Sequence, residues 1–317
     1  MIQLKEIFTG MITDYNEIVN VNAIGKPDNP ILMNDVLKMA SQEKLSPASA
    51  DKERVLFLAI DEQQDFMDYG ALGVPGAHED IKRITRFIYD NIEKITNIAV
   101  SLDTHTPHQI FHPCWWIDAN GDSPAPYTAI TTADLDAGKW TAIINPIASR
   151  EYVEKLEKFG KKVLVVWPYH CIQGTTGAAL ENQFANMVYF HSVARKAIAQ
   201  RLVKGQDPLT EMYGIIKPED NCGPGNGSGY INIAFLNKVE NYDKIVIAGE
   251  AKSHCVMESV KQILEYYENR PEVTSKIYIL EDCMSSIPGY EDATDKAFNA
   301  FKTKYKINIV NSENFKL

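Results

Sequence analysis

Five short runs of apolar, mostly β-branched residues constrain this chain more than any other feature. They are Val55–Asp61 (VLFLAID), Asn97–Asp103 (NIAVSLD), Lys162–Pro168 (KVLVVWP), Lys244–Glu250 (KIVIAGE) and Lys276–Asp282 (KIYILED), with Ile307–Val310 (INIV) as a candidate edge strand. None alternates cleanly between apolar and polar residues, as expected of strands buried on both faces of a parallel sheet. Amphipathic stretches lie between them. Ile81, Ile84, Phe87, Ile88, Ile92 and Ile95 recur at helical steps, as do Val256, Val260, Ile263, Leu264 and Tyr267. A third stripe runs through Tyr152, Val153, Leu156 and Phe159. Strand and helix in alternation predict an α/β fold: a doubly wound, mostly parallel sheet of about six strands with helices on both faces. Sites in such folds lie at the carboxyl ends of the strands. Here those ends carry Asp61, Asp103, His105, Trp167, His170 and, just past Glu250, Cys255.

Three regions fall outside the repeat: residues 1–50, a Pro/Gly/Asp/Thr-rich stretch over 113–147, and the Gly-rich segment within 217–229, which by composition is a flexible loop. The formal net charge of −10 argues against a nucleic acid or an anionic membrane as partner. No run approaches the roughly 18 apolar residues of a membrane helix. The first residues lack the pattern of a secretory signal. Cys114, Cys171, Cys222, Cys255 and Cys283 are an odd, scattered set, expected to be reduced thiols in a cytoplasmic protein.

Several segments carry potential chemistry. Asp103-Thr104-His105 can aim an oxygen and a nitrogen at one ion, although alone it fits a polar strand end equally well. Trp167-Pro168-Tyr169-His170-Cys171 brings a second histidine to the end of what is expected to be a neighbouring strand. Asp61 follows an apolar strand, a setting that raises a carboxyl's pKa and suits a general base; a turn or cap acid is the alternative, and Asp65 fits the cap role. Gly249–Val256 (GEAKSHCV) is a strand, a small-residue turn and a helix start. There, backbone N–H groups favour a thiolate at Cys255 and can bind an oxyanion. A buried structural thiol is the alternative. His254, next to it on a helix, is expected to point elsewhere. Lys204-Gly205 alone is weak evidence.

Taken in this order, these segments resemble the isochorismatase-like cysteine hydrolases, and within them the metal-containing nicotinamidase branch. That pattern comprises a D-x-Q-x-D-F segment, a D-x-H pair, a W-P-x-H-C segment, a K-G lysine and a G-x-A-x-x-x-C turn. Here the pieces read DEQQDF (61–66), Asp103 and His105, WPYHC (167–171) followed by Gly174-Thr175, Lys204-Gly205, and GEAKSHC (249–255). The resemblance implies a zinc-dependent amidohydrolase that converts nicotinamide to nicotinate and ammonia, a step of NAD salvage. It implies a triad of Asp61, Lys204 and Cys255, an oxyanion hole from the Ala251 and Cys255 amides, and a cis Glu250–Ala251 bond. Asp103, His105 and His170 are the expected metal ligands, with His112 as a candidate addition. Phe66 and Trp167 are expected to sandwich a heteroaromatic ring that Tyr213 also lines.

The chain departs from the pattern at Ser253, where relatives usually carry Asp, and at Tyr213-Gly214-Ile215-Ile216, where Y-S-x-F is common. The Pro113-Cys114-Trp115-Trp116 segment after His112 opens the first of two expected insertions. The predicted layout is an N-terminal extension over 1–54 and a hydrolase domain over 55–317, with insertions at about 113–147 and 205–243. A homo-oligomer is expected. Competing readings are a hydrolase of another small amide or vinyl ether, and a non-catalytic scaffold of the same fold.

Overall fold

The strand Val55–Ile60 explains why the apolar runs lack alternation. All six of its residues are buried. Val55, Phe57 and Ala59 join one apolar cluster, while Leu56, Leu58 and Ile60 join another on the opposite face. In the computed structural model, which describes residues 10–160, 162–222 and 230–317 (without the side chains of 221 and 222), this strand lies at the centre of a six-stranded sheet. In chain order the strands are Val55–Ile60 (β1), Asn97–Asp103 (β2), Gln200–Lys204 (β3), Lys244–Gly249 (β4), Ile277–Leu280 (β5) and Asn308–Val310 (β6). Their spatial order is β3-β2-β1-β4-β5-β6, and every pairing is parallel. The order reverses between β1 and β4, which opens a crevice at their carboxyl ends.

The first cluster packs Ile81, Ile84, Phe87 and Ile88 of the helix Ala77–Asp90, and Phe184, Met187 and Val188 of Asn182–Ala194, against one face of the sheet. The second packs Val260, Ile263 and Leu264 of Met257–Tyr266 and Phe298 of Glu291–Tyr305 against the other. Each such side chain contributes about 1.5–3 kcal/mol on burial. Residues 10–54 continue the first cluster through Ile18, Val19, Val36 and Ala40. They are tied down by the Arg195 guanidinium, whose Nη2 lies 2.6 and 2.7 Å from the two Asp51 carboxylate oxygens.

The strand count agrees with expectation, but one strand is exchanged. Within Lys162–Pro168 only Leu164–Val165 is strand, paired antiparallel with Ala129–Ile130 outside the main sheet. Its apolar residues serve a third cluster, in which Leu164, Val166 and Trp167 meet Trp115, Trp116, Ile130 and Tyr152. The strand beside β2 is instead Gln200–Lys204. As an edge strand it buries Leu202 and Lys204 but exposes Arg201 and Val203, so it carries no apolar run. Residues 113–147 are thus partly ordered around the two buried tryptophans. Of the Gly-rich stretch read as a flexible loop, 223–229 lie outside the described residues, as does the Cys222 side chain. Among the described residues no helix is long and apolar enough to cross a membrane.

Candidate active site

The parallel register of β1, β2 and β3 brings three charged side chains to one rim. Asp61 follows β1 directly and has a left-handed backbone (φ 50°), unusual for a non-glycine residue and typical of functional turns. Ser101 of β2 holds it from two sides: its Oγ donates to Asp61 Oδ1 at 2.5 Å and accepts from the Asp61 amide at 2.9 Å. On β3, Lys204 stands in register with Asp103. Its Nζ lies 2.9 Å from Asp61 Oδ2, 3.1 Å from Asp103 Oδ1 and 3.7 Å from Cys255 Sγ, and donates to the Met212 carbonyl at 3.2 Å. Cys255 arrives from the turn after β4. Gly249 is required there, because a Cβ at its position would lie 2.2 Å from the Ile60 carbonyl oxygen. The Glu250–Ala251 peptide is cis. Asp61, Lys204 and Cys255 therefore meet, buried, at the switch point of the sheet.

Beside them, Asp103, His105 and His170 present one donor atom each within 4.8 Å of one another. His105 Nδ1 donates to the Gly205 carbonyl at 3.0 Å and His170 Nδ1 to the Pro168 carbonyl at 2.7 Å. A carbonyl can only accept, so both rings carry hydrogen on Nδ1. Both Nε2 lone pairs then converge on Asp103 Oδ2, at 3.0 and 3.8 Å. Lone pairs and a carboxylate facing one another repel unless a cation lies between them, so the donor set fits a divalent ion. His112 shows the same pattern: its Nδ1 is 3.1 Å from the Thr106 and Pro107 carbonyls, while its buried Nε2 has no hydrogen-bond partner. Burial, with His170 and His105 nearby, lowers His112 to about 3, so the ring is neutral. Its centroid is 5.9 Å from that of His105 and 6.0 Å from that of His170.

The DEQQDF segment holds this group in place. Gln63 brackets the Asp103 backbone, donating to its carbonyl at 2.8 Å and accepting from its amide at 2.7 Å. Asp65 is not a helix cap; its Oδ2 accepts the Cys171 amide at 2.7 Å and so fixes the residue after His170. Gly205 turns the chain with φ 76°, where a Cβ would meet Asp103 Oδ1 at 2.6 Å and His105 Cε1 at 2.5 Å. Gly205→Ala is expected to destabilise the fold by about 1–3 kcal/mol. Urea unfolding measures this, and an unchanged midpoint would show that the turn can relax.

The charges are strongly coupled. Burial raises Asp61, and Asp103 adds to this, against the pull of Lys204 and Ser101. Burial disfavours charge on Lys204, but Asp103 and Asp61 outweigh it and hold the ammonium well above its ordinary pKa. For Asp103, burial works against charge but is outweighed by the cationic surroundings, Lys204 among them, which hold it well below its ordinary pKa. Burial pushes the Cys255 thiol up despite Lys204, with Asp61 and Asp103 adding to the effect. Desolvation thus works against a resting thiolate. This sulfur needs a base.

Cys255, Asp103, His105 and His170 line a cavity of about 510 Å³, counting the part open to solvent. Phe66, Trp167 and Tyr213 line it, together with Ala251 and Cys255. So do two residues that sequence reasoning missed, His254 and Glu211. His254, expected to point away from the thiol, lines the cavity from a wide π-type turn over 252–256, with its ring beside Tyr290, Trp167 and Tyr213. Ser101 had a legible signal, being a small hydroxyl inside an otherwise apolar stretch of β2. Glu211 had none.

Against solved structures, the chain is similar to the yeast nicotinamidase Pnc1p bound to the inhibitor nicotinaldehyde, at 19% identity and a TM-score of 0.56, over 81% of this chain and 99% of that one. It is similar to the Acinetobacter baumanii nicotinamidase/pyrazinamidase at 17% identity and a TM-score of 0.54, over 84% and 99% of the two chains. A third likeness is to PnC1 from L. infantum in complex with nicotinate, at 15% identity and a TM-score of 0.50, over 86% and 97%. No family model and no curated protein matches the sequence. The chain therefore has the isochorismatase-like α/β fold of these structures.

Proposed function

We propose that this protein is a metal-containing cysteine amidohydrolase acting on a small heteroaromatic carboxamide, with nicotinamide as the first candidate. The observation that carries this reading is the meeting of Asp61 and Lys204 with Cys255, the sulfur lining a cavity walled by aromatic rings. The likeness in fold to nicotinamidases agrees with it.

In this mechanism the raised Asp61 carboxylate takes the Cys255 proton as the sulfur attacks the amide carbon. The oxyanion accepts hydrogen bonds from the Ala251 and Cys255 amides. Asp61 then passes the proton to the leaving nitrogen, the C–N bond breaks, and ammonia departs from a thioester. Water, deprotonated by Asp61, attacks the thioester carbon; the C–S bond breaks and the proton returns to sulfur as the carboxylate product leaves. Lys204 stays charged throughout and keeps Asp61 beside the sulfur. Phe66 and Trp167 flank the ring, with Tyr213 alongside. Asp103, His105 and His170, with His112 as a further donor, would hold a divalent ion, for which two nitrogens and a carboxylate favour zinc; when bound, it would supply a Lewis-acid anchor for the substrate.

A screen of ammonia release from nicotinamide, pyrazinamide and aliphatic amides tests the reading. Turnover of the aromatic amides is expected, and its absence on all of them would remove the assignment. Metal analysis is expected to find about one ion per chain, lost in His105→Ala. Removing it by chelation is expected to weaken substrate binding at least about tenfold, restored by added zinc.

A further inference from the structure

Glu211 lines the cavity yet belongs neither to the Asp61–Lys204–Cys255 group nor to the metal-binding donors. Its carboxylate is buried, and both oxygens are engaged by aromatic side chains. Oε1 accepts the Tyr213 hydroxyl at 2.5 Å and the Trp167 indole N–H at 3.3 Å. Oε2 accepts the Tyr152 hydroxyl at 3.0 Å, and that hydroxyl accepts the Glu211 amide at 3.0 Å. Trp167 Nε1 also lies 3.1 Å from the Tyr213 oxygen, so Trp167, Tyr213 and Glu211 are joined pairwise. Tyr152 anchors the set from the helix Pro146–Lys155, inside the third apolar cluster.

Rings held by packing alone can tilt. Hydrogen bonds to a charged acceptor are about twice as strong as neutral ones, and three of them converging on one carboxylate over-determine where the donors sit. A wall already fixed in its binding geometry lowers the ordering cost that a ligand must otherwise meet. Nothing in this arrangement touches the sulfur or the carbonyl it would attack.

We propose that Glu211 is the positioning residue of the cavity's aromatic wall: it locks Trp167 and Tyr213 in place and thereby sets how tightly a flat carboxamide binds, not how fast the covalent step runs. This rests on the reading of the cavity as a site for an aromatic amide.

Burial raises the Glu211 carboxyl to about 7, against hydrogen bonds from Tyr213, Tyr152 and Trp167, with the Glu219 carboxylate adding to the rise. Other charges face the cluster. Lys162 is 2.7 Å from Glu219 Oε2, 3.0 Å from Glu258 Oε2 and 5.4 Å from the Tyr213 ring centre. His254, whose ring is 6.0 Å from that of Tyr213, is kept neutral by burial at a pKa of about 4. The ionised carboxylate accepts all three donors, whereas a protonated one loses the charge that strengthens those bonds and brings a hydrogen of its own into the cluster. Affinity is therefore highest above pH 7 and declines as pH falls through about 7.

The test compares wild type, Glu211→Gln and Glu211→Leu in KM and kcat for nicotinamide from about pH 5.5 to 8.5. Glu211→Gln is expected to raise KM about 3–10-fold, keep kcat within about twofold, and remove the change in KM near neutrality. Glu211→Leu is expected to raise KM further, and if it fails to fold, the Gln variant decides. A readout that needs no turnover is the fluorine NMR signal of 5-fluorotryptophan at position 167, assigned with Trp167→Phe. It is expected to shift with a midpoint near pH 7 in wild type and to stay fixed in Glu211→Gln. That pair of results supports the proposal even if no amide is turned over, an outcome that would instead remove the substrate assignment. An unchanged KM in Glu211→Gln, or a Trp167 signal that is flat with pH in wild type, overturns it.

Discussion

Cys255→Ala is expected to lower nicotinamide hydrolysis by at least about 10⁴-fold while leaving the fold intact. Cys255 is the cysteine that lines the cavity, with the Lys204 ammonium 3.7 Å from its sulfur and the Asp61 carboxylate in the same cluster. Cys171 and Cys283 are buried and do not line the cavity; burial pushes both thiols up, and neighbouring carboxylates, Asp103 for Cys171 and Asp282 for Cys283, add to the rise. Alanine at either is therefore expected to leave turnover within a few-fold of wild type. Because the Cys255 thiol is itself raised by burial, its reactivity depends on proton removal during attack. Asp61→Asn, which cannot accept that proton, should approach the loss seen in Cys255→Ala. An acyl-enzyme trapped by hydroxylamine and located by mass spectrometry would identify the sulfur directly. If Cys255→Ala kept more than about a tenth of wild-type turnover while chelation removed it all, the sulfur would not be the nucleophile.

Lys204→Met is expected to damage both activity and stability. The ammonium lies within 3.1 Å of two buried carboxylates, and its removal leaves Asp61 and Asp103 facing each other without a counter-charge. Breaking a buried pair in this way costs about 3–5 kcal/mol. For a chain of this size that lowers Tm by roughly 5–15 °C. Turnover should fall about 10³-fold or more, because Asp61 loses the contact that keeps it near the sulfur. Asp61→Asn separates the two effects: Lys204 keeps its pairing with Asp103, so stability should change little while activity is lost. Calorimetry and ammonia release on the same preparations measure both. A Lys204→Met protein with unchanged Tm would mean that Asp61 is already protonated in the resting protein, which removes it as the base.

Much of the site was legible because its residues stand at strand ends, and strand ends are marked where apolar runs stop. Asp61, Asp103 and the Gly249–Cys255 turn were found in this way. Lys204 was not, because β3 is an edge strand, and one-sided burial gives an alternation too short to distinguish from a loop. The converse error at Lys162–Pro168 has the same origin: an apolar run reports burial, and here burial is supplied by Trp115, Trp116 and Tyr152 rather than by neighbouring strands. His170 still reaches Asp103 and His105, through the bridge pairing Ile172 with His105 and the Asp65 bond to Cys171.

The sequence by itself determined the fold class, the expectation that the site lies at the carboxyl ends of the strands, and the residue types placed there. These follow from periodicity and from chemistry confined to a few consecutive residues. Tertiary structure decided what depends on distance and dielectric. It showed that Lys204 bridges two carboxylates, that burial works against a thiolate at Cys255, and that Gln63, Asp65 and Ser101 serve as braces. It also showed that Glu211, an ordinary acid between Thr210 and Met212, is enclosed by three aromatic donors, of which Tyr152 and Trp167 come from distant segments. The physical reason is that a side chain's charge state and partners are set by what surrounds it in space, and residues 152, 167 and 211 become neighbours only when the chain folds.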